Sequence, residues 1–476
     1  MKFNLKNLKT LIVILTIIFS GCSTAEQTQS SITVLKGATS HDGNGNTIEQ
    51  SVILIQDGKI KSIGDQSLEI PSGAEIIDVT GKYITPGLVD SHMHFAQTGF
   101  FDGRPDVVDL RDSLDFDLLQ ADLRSNPDSY YEAYLRSGVT AVYDVGGFPW
   151  SIERQAEAES NLSAPHVAAA GPLFSALSET RLSPFNTEND KQMLNLSDSE
   201  FGRETVRKHT KMGSTGVKIW GIQVGDSSFM NALNAVADET KLQGNKLIVH
   251  ATTLDQAKEA LRLGAKVLVH SVQDVEVDDE FIKLAQENDV IYSPTITVVR
   301  GYLNTFRSLK KIREVSDSND VMDDRAKALL QSSTEFYSFY PAQVDLEEQM
   351  FGFEQRINAM EEVMAINLKK VHEAGITIAV ATDAGNPGTF HGLSIYDEMI
   401  AMQEAGIPPN EIITMATKNG ALAMDRIEDF GTLEEGKLAD LIILKEDPST
   451  DISNMRSITH VMRGGLLRPV NEPFNK

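Results

Sequence analysis

The feature that most constrains the fold is a repeated alternation of short apolar runs with helical stretches between Tyr83 and about Asp429. Several of these runs follow a glycine, such as Gly138 and Gly264, and a helix, a glycine and then a strand are typical of βα units. Eight βα units predict an α/β fold of the (β/α)8 barrel type. We predict strands at Gly87–His94, Val139–Val145, His166–Ala170, Gly216–Trp220, Lys246–Thr252, Lys266–Val272, Val290–Thr295 and Thr377–Asp383.

Both ends of the chain have strand-like sequences. Two apolar runs flank Asp57-Gly58, a pair that indicates a β-hairpin, and further runs lie at Ala439–Leu444 and Ile458–Met462. We predict that residues 32–82 and 431–470 form one small β-sandwich domain, with the barrel (83–430) inserted between them. A barrel usually needs roughly 250 residues, so this one carries insertions. The largest, at about 300–368, is polar and helical in pattern, and it is either a solvated outer helix pair or a lid over the site.

The first residues are typical of an export signal. Lys2, Lys6 and Lys9 precede an apolar run at 11–19 and then Ser20-Gly21-Cys22. A small pair before the only cysteine of the chain resembles a bacterial lipoprotein signal. We therefore predict a signal peptide (1–21), a lipidated Cys22 on a polar tether (22–31), and a place in the bacterial cell envelope. A plain secreted protein with an incidental cysteine is the alternative.

Composition excludes several classes of function. The 43 Lys and Arg against 68 Asp and Glu give a net charge of −25, which repels nucleic acid and anionic lipid. We expect no nucleic-acid partner, and contact with the membrane only through the lipid anchor. A single cysteine rules out an intrachain disulfide and a cysteine-based zinc site. Histidines and carboxylates are therefore the residues to consider for metal chemistry.

Four histidines lie at the ends of predicted strands. His92 and His94 alternate on one face of the first strand, so both imidazoles can reach one metal ion. His250 and His270 each close a five-residue run of the same pattern in consecutive βα units. The carboxyl ends of barrel strands form the active-site face, so we interpret all four as metal ligands. The alternative for each is a hydrogen-bonded core histidine.

Lys218 and Asp383 complete the set. Alternation in the fourth strand places Lys218 on the face opposite Val217 and Ile219. A neutral, buried lysine that reacts with CO₂ would supply the anionic bridge that two metal ions need, whereas a lysine paired with a carboxylate or extended to the rim would not. Asp383 ends the eighth strand, where it could be a metal ligand, a general base, or only a helix N-cap.

These segments resemble the amidohydrolase superfamily of metal-dependent hydrolases, and within it the imidazolonepropionase-like group that includes Xaa-Pro dipeptidases and related carboxypeptidases. The likeness covers most of the chain from Ile32 to Gly465. It implies the barrel together with a small β domain built from both termini. The stretches that carry it are Tyr83–His94, His250, His270, Ala381–Gly385, His391–Glu398 and Gly431–Leu441.

The resemblance also implies roles for the residues. A first metal would be held by His92, His94 and Asp383, and a second by His250 and His270. Carboxylated Lys218 would bridge the two divalent ions, which we expect to be Zn²⁺. A hydroxide between the metals would attack the scissile carbonyl, with Asp383 as the catalytic residue that takes its proton and passes it to the leaving amine.

The expected substrate is a small molecule or dipeptide with a peptide-like amide, which makes a dipeptidase or carboxypeptidase of the Xaa-Pro type a candidate function. Many relatives carry a Gly-Gly-His element after strand three, but Gly171–Ser178 contains no histidine, which argues against a strict dipeptidase. His391, Trp220 and Tyr292 are candidates for substrate contact. A one-metal hydrolase of cyclic amides of the imidazolone type and a non-catalytic anchored binding protein are the alternatives.

Overall fold

A computed structural model describes residues 32–102, 110, 114–340 and 345–474. The predicted signal peptide, the tether and Cys22 lie outside these residues and remain predictions. No helix in the described part of the chain is both long enough and apolar enough to cross a bilayer.

Strands occupy both ends of the chain and recur through its middle. The described residues contain β1 (Thr33–His41), β2 (Thr47–Gln56), β3 (Lys59–Gly64), β4 (Glu75–Asp78), β5 (Tyr83–Pro86), β6 (Leu88–Met93), β7 (Val139–Asp144), β8 (His166–Ala169), β9 (Leu173–Ser175), β10 (Met193–Asn195), β11 (Val217–Trp220), β12 (Leu247–His250), β13 (Val267–Val269), β14 (Ile291–Ser293), β15 (Thr377–Ile378), β16 (Leu441–Leu444), β17 (Ile458–Arg463) and β18 (Leu466–Pro469).

Helices connect the strands of the middle segment. They are α1 (Phe116–Ser125), α2 (Asp128–Arg136), α3 (Trp150–Glu159), α4 (Glu179–Leu182), α5 (Ser199–Lys211), α6 (Ser227–Leu242), α7 (Leu254–Arg262), α8 (Asp279–Glu287), α9 (Val298–Ser308), α10 (Asp324–Gln331), α11 (Leu346–Glu373), α12 (Ser394–Glu404), α13 (Pro409–Met415) and α14 (Lys418–Ala423), with 3₁₀ helices at Ser183–Phe185, Ser333–Phe339 and Ile452–Ser457.

The two termini build one sheet. Its order is β18-β17-β16-β5-β1-β2-β3, with β4 paired to β1. Gly37, at φ +99°, interrupts β1, so its first half pairs with β4 and its second half with β5. Hydrogen bonds therefore join all of these strands into a single curved sheet with an apolar cluster that includes Ile53, Ile84 and Ile443. Two facing sheets are not found among the described strands, so the sandwich is not confirmed.

The predicted hairpin is confirmed. β2 and β3 pair antiparallel around Asp57 and Gly58, which have φ values of +53° and +75°. Two consecutive residues of positive φ match the right-handed twist of the flanking strands.

The middle segment is an α/β fold with strands at all eight predicted positions. Regular pairing divides them into the sheets β6-β7-β8 and β10-β9-β11-β12-β13-β14-β15. Single backbone hydrogen bonds span both junctions. The N–H of Thr215 donates to Ala169 (3.0 Å), and the N–H groups of Ser91 and Asp383 donate to Val380 (3.0 Å) and His92 (2.7 Å). β9 and β10, which the sequence analysis missed, lie between β8 and β11 in the chain.

Alternation in β11 sets the direction of the Lys218 side chain. Val217 and Ile219 belong to the large apolar cluster shared with the helices. Lys218 pairs in register with Ile248, which belongs instead to a separate cluster inside the strands. The side chain of Lys218 therefore points to the interior of the strand assembly.

The predicted insertion contains α9, α10, a 3₁₀ helix and α11, all between β14 and β15. Arg300 of α9 donates to Glu361 of α11 at 2.9 Å, and Arg307 pairs with Glu354 at 2.7 Å. These bonds fix α9 against α11.

Burial of His209 in α5 predicts a pH-dependent stability. The side chain is 7% exposed, and burial, with a smaller effect of Lys208, lowers the pKa of His209 to about 4. Between about pH 6.5 and 4 the unfolded chain therefore binds the extra proton, and the folded state loses stability as pH falls. His209→Gln should reduce that acid-induced loss by about 3 kcal/mol. Urea unfolding at pH 7.5, 6 and 4.5 measures it. A parent–variant difference that is constant with pH would contradict the prediction.

Candidate metal centre

All six predicted metal ligands line one cavity of about 310 Å³. They come from the ends of strands or from the segments that directly follow them, and the cavity lies where those ends meet. The sequence separates these residues by almost three hundred positions. The six are His92, His94, Lys218, His250, His270 and Asp383.

Three of them form the tightest part of the cavity. Oδ1 of Asp383 lies 3.2 Å from Nε2 of His92 and 3.0 Å from Nε2 of His94, and the two imidazole nitrogens are 3.2 Å apart. All three side chains are buried. Two ring nitrogens and a carboxylate oxygen this close together require positive charge among them, which a proton on His94 or a bound cation supplies.

Contacts of Nδ1 orient the imidazole rings of His94 and His270. Nδ1 of His94 donates to the carbonyl oxygen of Gly146 at 2.6 Å, which leaves Nε2 to face Asp383. Nδ1 of His270 contacts the hydroxyl of Thr295 at 2.7 Å. Partners of this kind fix the ring orientation of metal-binding histidines.

His270 and His250 form the other side of the cluster. Their ring centroids are 4.3 Å apart, and His270 is 5.1 Å from His92. His270, His92 and Asp383 place three ligand atoms within 4.8 Å of one another. The predicted ligands of both metals are therefore neighbours around one space.

The backbone at this site is strained. His270, Thr295 and Asp383 have φ values of +75°, +46° and +57°. For residues with side chains this left-handed region costs roughly 1–3 kcal/mol each, and such strain concentrates at functional sites. With this left-handed backbone, the side chains of Asp383 and His270 point into the cavity.

The electrostatics favour neutral imidazoles at His92, His250 and His270, a protonated His94 and an ionised Asp383. Burial lowers the pKa of His92 and of His250 well below the usual value, and it lowers the pKa of His270 to about 4. Burial alone would raise the pKa of Asp383, but His92 and His94 hold it well below its usual range. Burial also opposes a charge on His94, but Asp144 and Asp383 raise its pKa to about 9.

Lys218 is only 2% exposed, and among the described residues no hydrogen bond or salt bridge of its Nζ is found. Burial lowers the pKa of Lys218 to about 7, against the attraction of Asp383 and Asp144. Pairing with a carboxylate and extension to the rim, the two alternatives from the sequence, are therefore not what the structure has.

The residues present fit a divalent cation. Imidazole nitrogens and a carboxylate are the ligands that zinc prefers in the absence of cysteine. Oδ1 of Asp383 is buried, and within the described part of the chain no group donates a hydrogen bond to it. An orphaned anionic acceptor between two imidazole nitrogens is what a cation site requires.

Of the three residues predicted to contact substrate, only Trp220 lines the cavity. The hydroxyl of Tyr292 accepts the N–H of Val272 at 3.2 Å inside the core. Nε2 of His391 donates to the carbonyl of His94 at 3.0 Å while its ring stacks on Tyr130 at 4.0 Å. Tyr292 and His391 thus lie outside the cavity lining and support the residues around it.

Other functional positions were missed by the sequence analysis. Asp144 ends β7, lies 3.8 Å from Nδ1 of His94, and accepts the N–H of Gly146 at 3.1 Å. Asp90 accepts the hydroxyl of Thr382 at 2.6 Å and so ties β6 to the segment that carries Asp383. An aspartate at a strand end was a usable signal for Asp144, whereas Asp90 lies inside β6 and had no such signal.

The cavity wall contains both apolar and amide side chains. Val298, Val299 and Tyr302 reach it from α9, so the insertion contributes to the site. The hydroxyl of Tyr302 donates to Oδ1 of Asn386 at 3.0 Å. The remaining wall side chains are Gln97, Leu173, Phe185, Gln192, Met193, Trp220, Thr252 and Gln273.

Comparison with known proteins identifies the family of the chain. Residues 83–467 match the amidohydrolase family, and the chain belongs to that family. It is 22% identical to ochratoxinase from Aspergillus niger, over 93% of this chain and 88% of that protein. It is 23% identical to imidazolonepropionase from Geobacillus sp. (strain WCH70), over 83% and 84% of the two chains.

The fold has solved counterparts. The crystal structure of a Xaa-Pro dipeptidase with bound methionine superposes with a TM-score of 0.68 at 24% identity, covering 92% of this chain and all of that one. Members of the amidohydrolase family are hydrolases that act on carbon–nitrogen bonds, and the chain is an enzyme of this class.

Trp220 offers a test of the cavity wall. Its side chain lines the cavity, and its ring is 6.5 Å from that of His250. Trp220→Ala should raise KM about tenfold and change kcat less than about threefold, because it removes binding surface that is equally used in the ground and transition states. Tyr292→Phe is the control and should leave KM unchanged. Steady-state kinetics on an amide that the enzyme cleaves measure KM and kcat of both variants. An equal change of KM in the two variants would refute a role of Trp220 in substrate binding.

Proposed function

We propose that the chain hydrolyses a peptide-like amide bond with two divalent metal ions held in a (β/α)8 barrel. The observation that carries the proposal is the buried, unpaired Lys218 in the same cavity as five metal-compatible side chains. Strands at all eight predicted positions and the hydrogen bonds at both sheet junctions support the barrel. The family supports the amide substrate.

Carboxylation explains why a lysine occupies this position. Burial favours the neutral amine, whose nitrogen lone pair can attack CO₂. The new N–C bond forms a carbamate, one proton passes from the nitrogen to solvent water, and the neutral amine becomes an anion. An anion among the imidazoles is the bridge that a pair of divalent ions needs.

We assign one ion to His92, His94 and Asp383, and the other to His250 and His270, with Lys218 shared. Zn²⁺ suits this set of nitrogen and oxygen ligands. When bound, such ions would lower the pKa of a water molecule and polarise the amide carbonyl.

The chain's own groups handle the proton. Oδ1 of Asp383 faces His92 and His94, which leaves Oδ2 as the oxygen that can accept a proton from water. The same carboxyl can then donate that proton to the leaving amine nitrogen. The hydrogen bonds from Thr382 to Asp90 and from the Asp383 N–H to His92 keep this carboxyl in place.

The cavity limits the substrate to a small molecule or a dipeptide-sized amide. A Xaa-Pro dipeptidase or carboxypeptidase is one candidate, by similarity to the solved dipeptidase. Leu173, in the segment that lacks the Gly-Gly-His element, gives the cavity an apolar wall there. That wall favours substrates with an apolar group.

A mononuclear hydrolase of cyclic amides is the second candidate. The compact group of His92, His270 and Asp383 favours it, because three ligands within 4.8 Å suffice for one ion. It needs no lysine bridge, so the number of ions per chain distinguishes the two candidates.

Lys218→Ala should abolish both metal binding at the bridged site and amide hydrolysis. Elemental analysis of the purified chain, with activity against a dipeptide and N-acyl amino acid library, measures this. We expect about two ions per parent chain and at least a 10³-fold lower kcat/KM in the variant. Lys246→Ala is the matched control. Lys246 is also buried, but its Nζ pairs with Asp425 (2.6 Å) and the Ala423 carbonyl (2.6 Å). Full activity in Lys218→Ala would refute the two-metal mechanism.

We also propose that the enzyme is exported and attached to the cell-envelope membrane through lipidated Cys22. The signal-like residues 1–21 support this. Cys22→Ala should move the protein from the membrane fraction to the soluble fraction without changing its kcat, because Cys22 precedes the described fold. Immunoblots of both fractions measure it. Membrane association that persists in the variant would count against the anchor.

A further inference from the structure

Glu398 is a fully buried carboxylate of α12 that faces a single backbone segment. Its Oε1 accepts the N–H of Ile296 at 2.7 Å. Its Oε2 accepts the N–H of Thr297 at 3.0 Å and the Thr297 hydroxyl at 2.9 Å. Within the described residues no cation pairs with it, so these three donors supply the compensation that burial of a carboxylate requires.

The segment that Glu398 holds connects β14 to α9 and touches the metal centre. Thr295, one residue before the held positions, contacts Nδ1 of His270 through its hydroxyl and has a left-handed backbone. Thr297 precedes the first turn of α9, where Val298 and Val299 line the cavity. A carboxylate at the N-terminus of a helix also satisfies its free N–H groups. One side chain thus fixes two parts of the site.

We propose that Glu398 is a positioning residue that holds Thr295 against His270, so that Nδ1–H of His270 donates to the Thr295 hydroxyl and Nε2 is free to bind a cation. The same bonds set the start of α9 and hence the cavity wall. This inference rests on the proposed function, because it assigns His270 a metal. Glu398 itself contacts no substrate and is not a catalytic residue.

The first test needs no metal. In the metal-free chain labelled with ¹⁵N-histidine, the His270 resonances should report the tautomer with the proton on Nδ1. Glu398→Gln preserves the shape of the side chain but turns one acceptor into an NH₂ donor that faces backbone N–H or hydroxyl donors. We expect the Nδ1–H tautomer of His270 to lose its dominance in this variant. An unchanged tautomer would overturn the proposal.

The second test is metal retention. Glu398→Gln should bind the ion held by His270 about 10–100-fold more weakly, as measured by competition with a chelator, while one ion per chain is retained more tightly. Glu239→Gln is the matched control. Glu239 of α6 is also a buried carboxylate, but it accepts a hydrogen bond from Arg207 of α5 at 2.9 Å. Equal retention of both ions in Glu398→Gln and the parent would contradict the proposal.

Thr295 connects His270, which it contacts, to Ile296, the next residue, which donates to Glu398. Thr295→Val removes the hydroxyl while keeping the branched shape, and it should weaken metal retention as much as Glu398→Gln does. Thr295→Ser keeps the hydroxyl and should restore retention. If Glu398 acts through Thr295, the double variant should be no weaker than either single variant. Fully multiplicative losses would show that Glu398 acts by another route and would overturn the proposal.

Thr297→Val provides a milder change if Glu398→Gln does not fold. It removes only one of the three donors to Glu398, and it should shift retention of the same ion in the same direction by a few-fold. No shift in this folded variant would also refute the role of Glu398. A parent chain that binds no divalent ion would refute the proposed function instead, and the tautomer measurement would still test the Glu398–Thr295–His270 connection.

Discussion

The structure depends on one electrostatic constraint, the burial of the Asp383 carboxylate within 3.2 Å of two imidazole nitrogens. Three such atoms this close together are stable only with positive charge among them, which a proton on His94 or a bound cation supplies. Two hydrogen bonds near Asp383 hold the segments that meet at this centre. The Asp383 N–H donates to His92, and Thr382 donates to Asp90, so the first and last strands of the middle segment are joined at the point where charge must be compensated.

A shell of hydrogen bonds holds this centre, and its members lie on loops after different strands. The Gly146 carbonyl orients His94, and Thr295 orients His270. Left-handed backbone at His270, Thr295 and Asp383 is the conformational cost of that orientation. Such strain persists only where the surrounding contacts determine it, and the buried carboxylates Asp90 and Glu398 provide contacts of that kind.

The residues that form the cavity walls differ from the predicted metal ligands and bear on the choice of substrate. Proteins that are 22–24% identical to this chain are named for different activities, so the shared fold does not by itself select a substrate. In this chain the walls come from β9, β11 and α9, together with the segment around Phe185. β9 and α9 lie in connections between the repeated strands, where a chain can change without disturbing its core.

Periodicity and strand ends in the sequence were sufficient for the eight strands, for the hairpin at Asp57-Gly58, and for placing Lys218 on the face of its strand opposite Val217 and Ile219. Those features depend on local alternation and on turn chemistry. The short strands β9 and β10 were missed because three residues carry no periodicity, and β15 covers only the first two residues of its apolar run. Asp144 was overlooked although it ends a predicted strand.

The sequence by itself therefore determined which residue types stand at the strand ends and which face each occupies. Only the tertiary structure decided that Trp220 lines the cavity while Tyr292 and His391 do not, that Lys218 has no carboxylate partner among the described residues, and that Glu398 reaches the segment after β14. The physical reason is that burial and pairing arise from contacts between segments far apart in the chain, and no local pattern encodes which distant side chain will fill a given space.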